Sequence, residues 1–207
     1  MNRQEHWEQV YKAKQPGQVS WFRLHLETSL SLIGRFAQDG SASILDVGGG
    51  ASTLIDDLLA RGYRNVTVMD ISRAAIEHAR ARVGSASRQV AWLVADVTQM
   101  PLAPHSYDVW HDRALFHFLT EPDQRQMYVR NVMTAVKPGG HVIVGTFGPE
   151  GPAMCSGLNV VRYDAESLRS EFGPRFQLIQ SVQELHQTPF GTTQQFLYCC
   201  FRVEEVS

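Results

Sequence analysis

Short apolar runs, bounded by glycine, proline and polar clusters, alternate along the chain with segments whose apolar residues recur at helical spacing. The first run, Ser43-Ile44-Leu45-Asp46-Val47, predicts a strand and leads directly into Gly48-Gly49-Gly50. Leu54, Ile55, Leu58 and Leu59 then share one helical face, with Asp56 and Asp57 opposite and a stop near Gly62. Further strands are predicted over Asn65 to Asp70, Val90 to Asp96 and Tyr107 to Trp110. Between the first two of these, Ser72 caps a helix that carries Ile76, Ala79 and Val83 along one face and ends at Gly84. Thr120 and Pro122 open another helix, ended by Lys137-Pro138-Gly139-Gly140 ahead of a strand from His141 to Phe147. After a Gly/Pro-rich loop, a short helix runs from Asp164 to Phe172. Two long strand patterns, roughly 176–186 and 194–204, then flank Thr188-Pro189-Phe190-Gly191-Thr192, a hairpin signal.

Five strand–helix units predict an α/β fold, Rossmann-like, with a mostly parallel sheet and helices on both faces. The closing hairpin brings the strand count to seven and stands where a dinucleotide-binding dehydrogenase would continue with a sixth parallel unit. No repeat or linker divides the 207 residues, so the expectation is a single domain. Its core is residues 43–207. Residues 1–42 differ in character: Trp7, Tyr11, Trp21 and Phe22 are spread through a polar stretch, and Leu24 to Phe36 reads as a helix. That segment either packs across the sheet or forms a lid over a ligand.

Composition narrows the class. With 43% hydrophobic and 19% charged residues the chain is globular in type, and a formal net charge of −2 argues against a broad basic footprint for nucleic acid. No apolar run approaches the roughly 18–20 residues that span a bilayer. The amino end has no apolar signal core, and Glu5 and Glu8 fit a mitochondrial presequence poorly, so a cytoplasmic protein is expected. Cys155, Cys199 and Cys200 lack CxxC spacing, and neighbours on a strand point to opposite faces. Buried, reduced thiols are the expectation.

The candidate chemistry lies at successive strand ends. Glycines at 48–50 let the backbone turn sharply and approach a ligand, and the following helix offers free N–H groups. Asp70, 20 residues beyond Gly50, stands where an acidic group accepts the hydroxyl protons of a ribose. Asp96 and Val97 end the third strand, where a carboxylate beside an exposed N–H reads an adenine edge. Each acid alone is equally a turn former. In order on three strand ends they point to an adenosine-containing cofactor.

These residues, with the Lys137–Gly140 turn, resemble the motifs of the class I S-adenosylmethionine-dependent methyltransferases over about residues 43–147. The resemblance implies S-adenosylmethionine as cofactor and S-adenosylhomocysteine as product, and it needs no metal. It places Asp46, Gly48, Gly49 and Gly50 at the methionine moiety, Asp70 with Ile71 at the ribose, and Asp96 with Val97 at the adenine. Trp21, His111 and Arg113 join the cofactor-binding set. Ser52 departs from the pattern, standing where many members have a third glycine, and is free to cap the helix instead.

Three stretches, Val19 to Phe22, His111 to Leu119, and Cys155 to Asp164, are similar more narrowly to bacterial relatives of the citrate synthase lysine methyltransferase. The implied activity is transfer of a methyl group to a nitrogen, oxygen or sulfur atom of a small molecule or a protein side chain, protein lysine being one alternative. A non-catalytic cofactor-binding subunit is another. Catalytic candidates are His111, Asp112 and His117, read as lying in or after the loop that follows the fourth strand, where ligands approach such a sheet. Against this, Asp112 also suits a helix-start network, and His117 between Phe116 and Phe118 suits a packed helix. An Asn-Pro-Pro-aromatic motif is missing there, which disfavours adenine and glutamine-amide acceptors. Nothing in the sequence sets an oligomeric state.

Overall fold

The computed structural model describes residues 2–14 and 16–204. Its main sheet has seven strands: β1 (Ser43–Val47), β2 (Asn65–Asp70), β3 (Val90–Val94), β4 (Tyr107–Arg113), β5 (Val136–Phe147), and a long hairpin described below. A two-residue pair, β6 (Met154–Cys155) and β7 (Leu158–Asn159), sits in the loop after β5. The closing hairpin is β8 (Phe176–Gln187) and β9 (Thr193–Val203). The strand order is β3-β2-β1-β4-β5-β9-β8, with the first five parallel and both hairpin strands antiparallel to their neighbours. This is the mostly parallel, seven-stranded Rossmann-like sheet with a carboxyl-terminal hairpin.

Among the described residues six α-helices accompany it: α1 (Arg3–Ala13), α2 (Glu27–Phe36), α3 (Leu54–Ala60), α4 (Arg73–Val83), α5 (Pro122–Ala135) and α6 (Ala165–Phe172). Alternation along each strand divides the core in two. Ile44, Val66, Val68, Val109 and Ile143 pack with Leu30 and Ile33 of α2, Leu54, Ile55 and Leu58 of α3, and Ile76 of α4. On the other face, Leu45, Val47, Trp110, Val142 and Val144 pack with Tyr128 and Val132 of α5 and with Leu168 and Phe172 of α6. The two adjacent cysteines obey the same rule. Cys200 joins the first cluster and Cys199 the second, and all three cysteines are buried free thiols.

Two departures from the sequence reading matter for function. The polar stretch at the amino end contains α1, whose start is fixed by a capping box: Glu5 N–H donates to Asn2 Oδ1 at 2.8 Å, and Asn2 N–H to Glu5 Oε2 at 3.1 Å. The second concerns β4, which runs three residues further than predicted. His111, Asp112 and Arg113 are therefore strand residues and not a loop, because β4 is central. Asp46 and Val47 of β1 pair with His111 and Asp112 on one side, and Ile143 to Gly145 of β5 extend the pairing to Arg113 on the other. The alternation sends His111 and Arg113 to one face and Asp112 to the opposite one.

In the second core, the Trp110 indole N–H donates to the Tyr128 hydroxyl at 2.8 Å, which donates in turn to Asp112 Oδ2 at 2.7 Å. Tyr128→Phe removes the link between two buried polar groups. Urea unfolding is expected to show a loss of about 1–3 kcal/mol through a lower midpoint at unchanged m-value. An unchanged midpoint would show that the chain of hydrogen bonds contributes nothing to stability.

Candidate functional site

The parallel strands end at one edge of the sheet, and a cavity opens there over β1, β2, β3 and β4. Asp46 and His111 are register partners on β1 and β4, so their side chains stand together on the same face. His111 Nδ1 lies 2.7 Å from Asp46 Oδ1, and its Nε2 lies 2.9 Å from the Ser29 hydroxyl of α2. A carboxylate only accepts, so Nδ1 carries a proton and donates to Asp46. Both ring nitrogens are occupied. Ser29 also hydrogen-bonds the Tyr198 hydroxyl of β9, to which Arg113 Nε donates at 2.9 Å.

Asp46 faces the glycine turn. A Cβ on Gly49 would come within 2.6 Å of Asp46 Oδ2 and 2.7 Å of Val68 Cγ1, so a side chain there would displace one or both of them. Gly50 has a φ of +49°, and a Cβ there would meet the Tyr11 hydroxyl at 2.6 Å. The turn is thus a close-approach cradle that side chains would fill. Ser52, the departure from the family pattern, stands one residue ahead of Thr53, the N-cap of α3, and its hydroxyl accepts from the Leu54 N–H at 3.1 Å.

Asp70 ends β2 at the cavity wall. Its carboxylate accepts from the Ser72 N–H at 2.8 Å and from the N–H groups of Gly50 and Ile71. Burial pushes its pKa up to about 7 despite those bonds. Asp96 accepts at Oδ1 from the Thr98 N–H at 2.9 Å and hydroxyl at 2.7 Å, and with Val97 it lines the cavity beyond β3. Carboxylates on three strand ends around a glycine cradle match the needs of a nucleoside carrying a cationic tail: hydroxyl donors, an amino group and positive charge.

The segment ahead of β1 does two jobs. Its helix α2 packs on the sheet, whereas Arg3, Trp7 and Tyr11 of α1 and Val19, Trp21, Phe22 and Arg23 line the cavity. Trp7 meets Trp21 edge-on at 5.8 Å and Phe118 at 4.9 Å between ring centres. Glu8 fastens α1 to the start of α4, accepting from the Ser72 hydroxyl at 2.8 Å and the Ala74 N–H at 3.1 Å. Tyr11 lies beside Asp70, its hydroxyl pushed upward by burial and by that carboxylate. Arg3, Trp7 and Tyr11 were missed as site residues. The signal available was Asn2 and Glu5 at capping-box spacing, which puts positions 3, 7 and 11 on one face of a helix.

Of the residues singled out from sequence, Trp21, Asp46, Gly48, Gly49, Asp70, Ile71, Asp96, Val97, His111 and Arg113 line this cavity. Gly50 lies behind Tyr11. Asp112 and His117 are not among the lining residues. Asp112 accepts from the N–H groups of Leu115 and Phe116, at 3.0 and 3.1 Å, as well as from Tyr128. It holds the turn after β4, where Ala114 has a φ of +68°. His117 Nδ1 accepts from the Phe147 N–H at 3.1 Å, and burial, with Arg113 adding to it, presses its pKa down to about 3. It is a packed, neutral imidazole.

A family model described as a methyltransferase domain matches residues 44–140, the stretch that carries the glycine turn, Asp70, Asp96 and β4. Over residues 44–140 the chain is thus similar to that family. Nodulation protein S of Rhizobium tropici is 28% identical to the chain over 110 residues, which cover 53% of this chain and 45% of that protein. EEF1A lysine methyltransferase 2 of Danio rerio is 25% identical over 195 residues, covering 86% of this chain and 76% of that protein. The chain therefore spans less than half of the first relative's length. The N-methyltransferase NodS from Bradyrhizobium japonicum WM9, solved in complex with S-adenosylhomocysteine, shares the fold at a TM-score of 0.71 and 21% identity, over 96% of this chain and 98% of that one. The chain thus shares the fold of that structure, with the observed cavity at the carboxyl ends of its parallel strands.

Burial raises the Asp112 carboxyl to about 6 in the folded chain, above its value of 3.8 when exposed. A raised folded pKa means that stability present below about 4 is lost as pH rises through about 6. Asp112→Asn cannot titrate. Urea unfolding of both proteins at pH 4 and pH 7 is expected to show a smaller fall in the variant, and equal falls would refute the buried, raised carboxyl.

Proposed function

We propose that the chain is a methyltransferase that uses S-adenosylmethionine to methylate a nitrogen, oxygen or sulfur atom of a small molecule or a protein side chain. The observation that carries this reading is the convergence of Asp46, the 48–49 glycines, Asp70 and Asp96 on one cavity at the ends of the first three strands. Asp46 and the 48–50 turn hold the methionine moiety, Asp70 with Ile71 the ribose, and Asp96 with Val97 the adenine. Arg113, reaching the cavity from β4, meets an acidic group. When bound, the cofactor supplies a methyl group already activated on a sulfonium sulfur, and no metal is needed.

The chain's own residues then have two tasks, orientation and exclusion of water. His111 fixes Asp46 from one side and is itself fixed by Ser29, so it acts as a positioning residue. Trp7, Tyr11, Trp21 and Phe118 wall the cavity with rings, and α1 and loop 19–23 serve as its lid. Holding acceptor and methyl carbon in line is worth roughly 7–11 kcal/mol of barrier. An amine acceptor has to lose its proton before attack. With both His111 nitrogens engaged and His117 and Asp112 turned elsewhere, the acceptor arrives deprotonated or releases its proton to water.

A narrower kinship with the citrate synthase lysine methyltransferase group is supported by where its three sequence stretches fall. Val19 to Phe22, His111 to Leu119, and the segment starting at Cys155 all contribute lining residues to the same cavity. On this reading a lysine side chain is one acceptor, and the protein works in the cytoplasm. Among the described residues no helix is long and apolar enough to cross a membrane.

Titration calorimetry with S-adenosylmethionine, S-adenosylhomocysteine and NAD tests the cofactor. Saturable binding of the first two alone is expected, whereas binding of NAD alone, or of none of them, would overturn the proposal. Asp70→Asn is expected to weaken S-adenosylhomocysteine binding roughly 10- to 100-fold, the value of hydrogen bonds to a charged group. Because the ionised carboxylate is the form that accepts ribose hydroxyls, wild-type affinity should fall as pH drops through about 7, the region in which buried Asp70 gains its proton. An affinity independent of pH between 6 and 8 would remove Asp70 from the ribose.

A further inference from the structure

Loop 19–23 lines the cavity, and its backbone is held from three directions. His186 Nε2 of β8 donates to the Ser20 carbonyl at 2.7 Å, Arg113 Nη1 of β4 donates to the Trp21 carbonyl at 2.9 Å, and the Thr53 hydroxyl donates to the Arg23 carbonyl at 2.9 Å. One carboxylate stands behind the two arginines. Glu184 Oε1 of β8 lies 3.2 Å from Arg23 Nη1 and 3.7 Å from Arg113 Nη2, with side-chain exposures of 9% for Glu184 and 6% for Arg113. The Arg113 guanidinium also rests 4.5 Å above the centre of the Phe196 ring.

The cluster is costly as mere scaffolding. Buried ion pairs add little to stability over well-packed apolar groups, since desolvation consumes the attraction. Here Arg113 Nη2 and Glu184 Oε1 lack hydrogen-bond partners altogether. What the pairing does secure is geometry. It joins the edge strand of the hairpin to Arg23 and Arg113, two of the three arginines that line the cavity, and Arg23 belongs to the loop itself.

We infer that Glu184 is a positioning residue for the cavity, holding Arg23 and Arg113 and, through them, loop 19–23 over the bound ligand. Glu184 lies outside the set of residues that line the cavity and acts only through the arginines. The carboxylate neutralises one of the two positive charges, leaving the other for an acidic group on the ligand. This inference rests on the cofactor reading above.

The test is the rate at which S-adenosylhomocysteine leaves the protein, measured by stopped-flow displacement beside calorimetric affinity and thermal melting. Failure of the wild type to bind S-adenosylhomocysteine would sink the cofactor reading, a result separate from the comparison between variants. With wild-type binding in hand, Glu184→Gln is expected to speed dissociation about tenfold, a usual size for coupling between sites. Arg23→Gln, which removes one of the two contacts of Glu184, should speed dissociation by no more than that, and the double variant should go no further than Glu184→Gln alone. A merely structural role would lower the melting temperature and leave dissociation unchanged at temperatures where the protein is fully folded. Wild-type dissociation in Glu184→Gln, or effects that multiply in the double variant, would overturn the inference. Should Glu184→Gln not fold, Arg23→Gln decides alone, its side chain being 29% exposed and so better tolerated.

Discussion

The cavity depends on one imidazole held at both ends. His111 bridges Asp46 of β1 and Ser29 of α2, and each of the three side chains is buried. A buried polar group without a partner costs about 1–3 kcal/mol, so each member of the chain fixes the next. From Ser29 the connection continues through Tyr198 to Arg113 and on to the Trp21 carbonyl. The glycine turn, the helix covering the sheet, the hairpin and the loop over the cavity are therefore parts of one hydrogen-bonded path. It exists because β1 and β4 pair with Asp46 opposite His111. A slip of one residue would turn His111 to the far face.

The same alternation separates two kinds of work along three consecutive residues. His111 and Arg113 serve the cavity, and Asp112 between them serves the opposite core. Asp112 anchors the turn that takes the chain out of β4, accepting from Leu115, Phe116 and Tyr128. A strained turn at the lip of a cavity is thus secured from behind, by a carboxylate whose own preference for water is opposed by burial.

The fold was readable in the sequence wherever periodicity was long and its ends were marked. Ser72 and Gly84 bracket α4 as expected, and the hairpin signal around Gly191 marks β8 and β9. The cavity was readable in its glycines and strand-end acids, since backbone conformation and register place these directly. Two things were not. The polarity of His111-Asp112-Arg113 reads as loop, yet pairing on both sides of a central strand outweighs it, and so the faces of the catalytic candidates were hidden. Glu184 and His186 lie on an edge strand far along the chain. Their partners at Arg23 and Ser20 follow only from the tertiary packing of the hairpin against the amino-terminal loop.

The place of β9 in the sheet has a consequence for how the chain is made. Synthesis delivers β9 after the other six strands of this sheet, but it is not an edge: it lies between β5 and β8 and pairs with both along most of its length. Until it emerges, β5 presents an open strand edge flanked by Ile143, Val144 and Phe147, and Tyr198 cannot reach Ser29 or Arg113. A nascent chain of this protein is therefore an incomplete sheet with an adhesive border, the condition in which edge-to-edge association competes with folding. The hairpin that completes the site also ends that exposure.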